Sequence, residues 1–405
     1  MRKTVMISLD ALYDADLSRF DGSTFIGQLL GRSAVSTQVK TIFPALTYPT
    51  HVTLATGMLP ARHGVEHNRP HQPEVDPAMR RWYWEADCIH VPTLFDAVKA
   101  AGGRNAAIFW PVTGKSRAIR WNLPEVIALP GENQVTKILR YGSAAWIVGA
   151  GLKYLRKMQG FREPWISDLA CDMACDVIRH HQPDLTAVHF VDLDEMRHHH
   201  GADSPQAREA LVRMDARVRR IWETMQSTRG MEDALLVLVS DHGQADVDKP
   251  VLLEELLARA GVAAQVQSCG MSAYVYTDDP ARAADVLSAA ESVSHVYDRA
   301  ELDALGCPAE IALAAEAAEG VVFADGMPQA AREKATHGYG PGHPAENCLF
   351  CVTGRGIAPA SLPEMTMTGV APTVAGLMGL SLPTAEGVDI SPKITRKNGT
   401  KVGNS

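Results

Sequence analysis

The sequence predicts an α/β fold in which helices cover both faces of a mostly parallel sheet, with a smaller α+β insertion. Three observations lead there. Short, mostly apolar runs recur at residues 5–9, 106–110, 185–191, 235–239 and 349–352, and such runs suit strands buried on both faces. Helical patterns alternate with them. Ligand-type side chains stand just past the ends of several runs, where open α/β sheets gather functional groups.

In chain order, the run Val5-Met-Ile-Ser-Leu9 reads as a buried strand that delivers Asp10. Thr47 sits just ahead of an expected helix start. Residues 92–101, opened by Pro92, read as a helix, because proline is tolerated in a first turn. The strand at 106–110 follows. A helical pattern closes on His180 and His181 before Pro183, basic side chains that suit a helix C-terminus. The strand at 185–191 leads into Asp194 and His198. Between 204 and 226, Leu211, Met214, Val218, Ile221, Trp222 and Met225 step by three or four and form one apolar stripe, with Ser204 and Pro205 as the start signal. The strand at 235–239 is followed by Asp241-His242-Gly243. The pattern then changes: a strand at 272–276, a helix at 280–290 and a strand at 295–297 suggest a compact insertion at about 246–335. His337 precedes the strand at 349–352, and 373–378 reads as a helix. The expectation is one catalytic domain over 1–392 that includes the insertion, followed by a polar flexible tail at 393–405.

Composition narrows the class. With 46% hydrophobic and 21% charged residues, the 405-residue chain can fill a core and is not disordered. Its 39 basic and 47 acidic side chains give a net charge of −8 without long basic runs, which argues against a nucleic-acid polymer as partner. A small anionic substrate stays admissible if local cations receive it. The seven cysteines are odd in number and dispersed, so no disulfide framework is expected, and Cys348 and Cys351 read as buried strand thiols. Asp10 interrupts the first apolar run too early for a secretory segment. The apolar stretch at 144–151 is far below the ~18 residues of a membrane span. The expectation is a cytoplasmic protein without membrane contact.

Asp10, Asp194, Asp241, His198, His242 and His337 form a plausible two-metal set, whose oxygen and nitrogen donors suit zinc and also manganese or iron. Alone, Thr47 reads as an ordinary N-cap. Beside six such ligands it reads as a nucleophile, with free N–H groups of a helix start to receive phosphate oxygens.

The stretch Thr47-Tyr-Pro-Thr-His-Val-Thr-Leu-Ala-Thr-Gly-Met-Leu-Pro-Ala-Arg-His-Gly-Val-Glu-His-Asn68 resembles the nucleophile segment of nucleotide pyrophosphatase/phosphodiesterases (type I phosphodiesterases) of the alkaline phosphatase superfamily. Trp110-Pro111, Asp194-x-x-x-His198-x-x-Gly201, Ser240-Asp-His-Gly243, Thr336-His-Gly-Tyr339, Ala371-Pro-Thr and Leu382-Pro383 follow in the family's order. The likeness spans about residues 4 to 391; Thr50 departs from it, where the family often has Asn. It implies an alkaline-phosphatase-like sheet and hydrolysis of phosphodiester or pyrophosphate bonds in small, nucleotide-type substrates. It implies two divalent metal ions, zinc foremost. It gives Asp10, Thr47, Asp241 and His242 to one ion and Asp194, His198 and His337 to the other. Asn68 matches the asparagine that contacts a phosphoryl oxygen. Thr47 would attack phosphorus, and a phospho-threonine intermediate would then be hydrolysed.

Some positions stay open at this level. The run His198-His199-His200 admits a shifted register, although Gly201 selects His198. Asp192 reads either as a support for a ligand or as a structural carboxylate. His51 and His343 read as structural or supporting. Core packing is favoured over base stacking for Trp82-Tyr83-Trp84 and Trp110. Phosphonoacetate hydrolase remains an alternative, with Lys40 and Lys115 as its lysine candidates, and so does a phosphomonoesterase or phosphomutase. No cysteine has the C-x-P-x-R context of a sulfatase. A relative that only binds metal or ligand would lack a nucleophile or a ligand, and no position is missing. Oligomeric state is open.

Overall fold

A computed structural model describes residues 1–154, 160–324 and 333–395. Its central sheet has nine strands. Six of them are β1 Thr4–Leu9, β2 Ala34–Lys40, β3 Asn105–Ile108, β4 Ile119–Leu123, β5 Leu185–Phe190 and β6 Leu235–Val239. Across the sheet the order is Ala360–Ser361, β2, Asn347–Thr353, β6, β1, β5, β3, β4, with Met365–Thr366 also paired to β2. β1 lies parallel to β5 and β6, and β3 lies parallel to β4 and β5. Asn347–Thr353 alone runs antiparallel, wedged between β2 and β6. The other strands therefore share a direction, and β1, β2, β3, β5 and β6 deliver their carboxyl ends to one edge.

The alternation of side chains along β1 divides the core. Val5, Ile7 and Leu9 pack on one face with residues of helices Trp165–His181 and Pro205–Ser227. Met6 packs on the other with Val374 of Val370–Met378 and with Leu94 and Val98 of Leu94–Ala100. Each large aliphatic side chain buried this way contributes about 1.5–3 kcal/mol. The long helix starts as its sequence signals: the Ser204 side chain accepts from Ala207 N–H, and Pro205 opens the first turn. Leu94–Ala100 begins two residues past Pro92, because Thr93 and Asp96 form a reciprocal capping box there.

Between the β6 end and the last long strand, Gln265–Ser268, Ser272–Tyr276, Leu313–Ala317 and Val293–Tyr297 form a four-stranded antiparallel sheet. Gly320–Phe323 and Ala335–Thr336 flank Ala245–Val251 in a three-stranded one. A further cluster joins Tyr274, Leu302 and Ile311 of this region to Phe43 and Leu46, just ahead of Thr47.

Two expectations change. The strand at 106–110 stops at Ile108, because Phe109 turns to φ 55° and takes Trp110 out of the sheet. The expected tail at 393–405 is ordered at its start: Ser391–Ile394 is a helical turn, and Ile394 fills part of the core. Residues 396–405 lie outside the described residues. No helix among the described residues is long and apolar enough to cross a membrane.

Candidate active site

The shared edge of the sheet supplies most of the site. Asp10 follows β1 directly, and Asp241-His242 follows β6. Helix Asp192–His200, just after β5, carries Asp194 and His198 one turn apart on the same face. The loop after β2 feeds helix Thr47–Thr56. His337 follows Ala335–Thr336, which pairs with Ala245–Val251 and so returns to the β6 end. Ala11 adopts φ 60°, a strained conformation for a residue with a Cβ. That turn aims its N–H at Asp241 Oδ1, 3.2 Å away.

Four atoms converge on a first cluster. From His242 Nε2, Thr47 Oγ1 is 3.2 Å away, Asp241 Oδ2 3.3 Å and Asp10 Oδ1 3.4 Å. A four-coordinate ion with bonds of about 2.0–2.1 Å separates its ligand atoms by roughly 3.3 Å. Both carboxylate oxygens are buried and have no hydrogen bond among the described residues; His51 Nδ1, 3.6 Å from Asp241 Oδ2, is turned to the Thr47 carbonyl. Their partner oxygens are committed: Asp241 Oδ1 accepts from Ala11 and His242 N–H, and Asp10 Oδ2 meets His189 Nε2 at 2.9 Å. A buried carboxylate oxygen without a donor is costly, and a cation satisfies it. The residues present therefore fit a divalent ion.

The second cluster is Asp194, His198 and His337. Asp194 Oδ1 lies 3.4 Å from His198 Nε2 and 4.0 Å from His337 Nε2, and Gln244 also donates to it. The rings of His337 and His242 stack at 3.7 Å, which ties the two clusters together. Each histidine turns Nδ1 to a backbone carbonyl: His242 to Gly243 at 3.2 Å, His337 to Ala45 at 2.7 Å and His198 to Ala335 at 3.0 Å. This leaves Nε2 facing the carboxylates, the tautomer arrangement of metal ligands. Burial holds His242 well below the usual histidine range and also depresses His337. Burial, joined by the Asp10 charge, raises Asp241 well above the carboxylate range.

Thr47 is the first residue of its helix and not its N-cap; that place belongs to Leu46, which cannot cap. The hydroxyl is thus free to face the cluster. In this first turn Pro49 has no N–H, Thr50 N–H bonds Leu46 O, and Tyr48 N–H goes to Asn68 Oδ1 at 2.9 Å. Thr47 N–H and the Asn68 amide NH2 have no hydrogen-bond acceptor among the described residues, and Asn68 is held at this turn through Tyr48. His51 Nδ1 braces the Thr47 carbonyl at 2.7 Å.

The structure thus brings together Asp10, Thr47, Asp241 and His242, places Asn68 beside them, and gathers Asp194, His198 and His337 next door. His199 and His200 are exposed, and neither belongs to a group of candidate metal ligands among the described residues. Asp192 is a structural carboxylate, held by Arg213 at 2.7 Å and Arg217 at 2.6 Å. His343 caps Pro344–Glu346 and stacks on Tyr339. His181, in the last turn of Trp165–His181 as expected, stacks on Trp121. Trp84 and Trp110 are buried core. Lys40 bonds Asn347, and Lys115 lies over Tyr141 beside Glu85, so neither faces the clusters.

Sequence reasoning missed His189, Glu125 and Gln244. His189 carried the one visible signal, an imidazole inside an otherwise buried strand.

A family model for type I phosphodiesterase / nucleotide pyrophosphatase matches residues 4–339. Among curated proteins, the chain is 22% identical over 272 residues to mouse ectonucleotide pyrophosphatase/phosphodiesterase family member 1, covering 63% of this chain and 25% of that protein. It is 25% identical over 264 residues to human family member 7, covering 61% and 49%. The match thus spans a quarter to a half of these relatives' length. Among solved structures, murine ectonucleotide pyrophosphatase/phosphodiesterase 5 shares the fold with a TM-score of 0.71 at 16% identity, covering 96% of this chain and 98% of that one. With the match covering most of the chain, this protein belongs to the type I phosphodiesterase / nucleotide pyrophosphatase family.

Proposed function

We propose that the chain hydrolyses phosphodiester or pyrophosphate bonds of small, nucleotide-type substrates, with Thr47 as nucleophile and two divalent ions, zinc foremost. One observation carries the reading: Thr47 Oγ1 and two buried carboxylate oxygens, neither hydrogen-bonded among the described residues, lie within 3.2–3.4 Å of one imidazole nitrogen. Asp10, Thr47, Asp241 and His242 would hold one ion, and Asp194, His198 and His337 the other. Bound there, the ions would add positive charge beside the phosphoryl oxygens and lower the pKa of the Thr47 hydroxyl.

The chain's own groups do the rest. Thr47 Oγ1 forms the new bond to phosphorus as the leaving oxygen departs. Thr47 N–H and the Asn68 NH2 receive one non-bridging oxygen, whose charge grows during attack. Water then splits the phospho-threonine and restores the hydroxyl. The nucleotide part of the reading follows the family and a murine relative of the same fold, solved as an inactive variant in complex with AMP.

The test compares bis-p-nitrophenyl phosphate, p-nitrophenyl phosphate, a p-nitrophenyl nucleotide ester and phosphonoacetate, with wild type and Thr47→Ala. Diester turnover should dominate and vanish in the variant. A large monoester or phosphonoacetate preference, or activity surviving in Thr47→Ala, would refute the assignment.

A further inference from the structure

Behind the first cluster lies a histidine that its chemistry does not use. His189, in β5 and fully buried, bridges two carboxylates: Nε2 meets Asp10 Oδ2 at 2.9 Å and Nδ1 meets Glu125 Oε2 at 3.0 Å. Glu125 stands two residues past β4, and the Phe109 carbonyl, past β3, adds a contact to Nδ1 at 3.2 Å. The backbone fastens the same junction, since Asp10 N–H donates to Phe190 O at 3.1 Å. Asp10 is thus held by two successive residues of β5, one through its main chain and one through its side chain.

His51, His189 and Asp241 are close enough to suggest a third ion. The hydrogen bonds argue otherwise. Both nitrogens of His189 already face carboxylate oxygens, and His51 Nδ1 faces the Thr47 carbonyl. Only His51 Nε2 is unengaged, and one nitrogen with one Asp241 oxygen is too few ligands for a tetrahedral site.

The consequence falls on Asp10. The terminal torsion of a free carboxylate is soft, so both oxygens can exchange at an ion. A donor fixed on Oδ2 stops that exchange and leaves Oδ1, the oxygen 3.4 Å from His242 Nε2, as the ligand atom. We propose that His189, braced by Glu125, is a positioning residue that holds Asp10 as a one-oxygen ligand of the first ion. The proposal rests on the ion-binding reading above and adds to it a support that lies outside the two ligand sets.

The test measures the affinity of each ion by chelator competition, with metal content and kinetics alongside. His189→Leu removes the donor, His189→Gln restores one toward Asp10, and Glu125→Gln leaves the ring in place but removes the charge behind it. His189→Leu should weaken one ion of the two by about 10–100-fold, with kcat falling more than KM shifts, and His189→Gln should recover most of that loss. Glu125→Gln should weaken the same ion by a smaller factor. Unchanged affinity for both ions in His189→Leu overturns the proposal, as does a His189→Gln protein no better than His189→Leu. If His189→Leu does not fold, Glu125→Gln decides: unchanged affinity there overturns the bracing. A wild-type protein that binds no divalent ion would instead sink the hydrolase reading.

Discussion

Substituting Asp241 by Asn should separate two effects that the wild-type site combines. In the ion-free protein Asp241 is fully buried with no hydrogen bond to Oδ2 among the described residues, and the Asp10 charge adds to burial in raising its pKa. An asparagine would keep Oδ1 for the Ala11 and His242 N–H groups and turn its NH2 toward His242 Nε2. The ion-free melting temperature should therefore stay level or rise, since an acid that burial and the Asp10 charge force toward its neutral form is replaced by a neutral amide. The gain from ions should shrink. At 100 times its dissociation constant, each ion contributes about 2.7 kcal/mol, so two contribute about 5.4 kcal/mol. At about 2.1 cal/mol/K per residue, 405 residues give an unfolding entropy of roughly 0.85 kcal/mol/K. Two ions should then raise the wild-type melting temperature by about 6 °C, and Asp241→Asn should keep about 3 °C of it. Differential scanning calorimetry after chelation, with and without added zinc, reads both numbers. A variant that keeps the full shift would show that Asp241 Oδ2 binds no ion.

Three further outcomes are expected. Asn68→Ala should lower diester kcat by about 10²–10³-fold with ion affinity unchanged, because it removes a donor aimed at developing charge; a loss below about tenfold would take Asn68 out of the site. Asp192→Ala should destabilise the fold by about 1.5–3 kcal/mol in urea titrations, since it leaves the buried Arg217 with Asp168 as its remaining carboxylate and Arg213 without its bidentate partner. Burial raises the Glu66 carboxyl to about 7 although the Tyr83 hydroxyl donates to it. The folded state then binds more protons than the unfolded one between about pH 4 and 7, so this group costs stability as pH rises; Glu66→Gln should flatten that fall by up to about 3 kcal/mol. Parallel stability–pH curves for the two proteins would contradict the shift.

Much of the fold was legible because its signals are local. The apolar runs marked β1, β5 and β6 to within a residue or two, and the 3–4 spacing from Leu211 to Met225 marked one face of Pro205–Ser227. The antiparallel sense of Asn347–Thr353 was not legible, since an apolar run carries no direction. Nor was the helical turn that orders Ile394, which depends on a gap in a core built from distant segments.

The sequence by itself determined which chemical groups the protein holds and where each stands along its strand or helix. Asp10, Asp194 and Asp241 with His198, His242 and His337 could be named because strand ends and helical turns are local features. Only the tertiary structure decided what each group faces: that Leu46, not Thr47, occupies the N-cap, that Asp192 serves two arginines, and that His189 spans Asp10 and Glu125. The Asp10–His189 contact joins residues 179 positions apart. No periodicity reaches across such a distance; a buried polar atom finds its partner only when the packing of the whole sheet has excluded the water that would otherwise satisfy it.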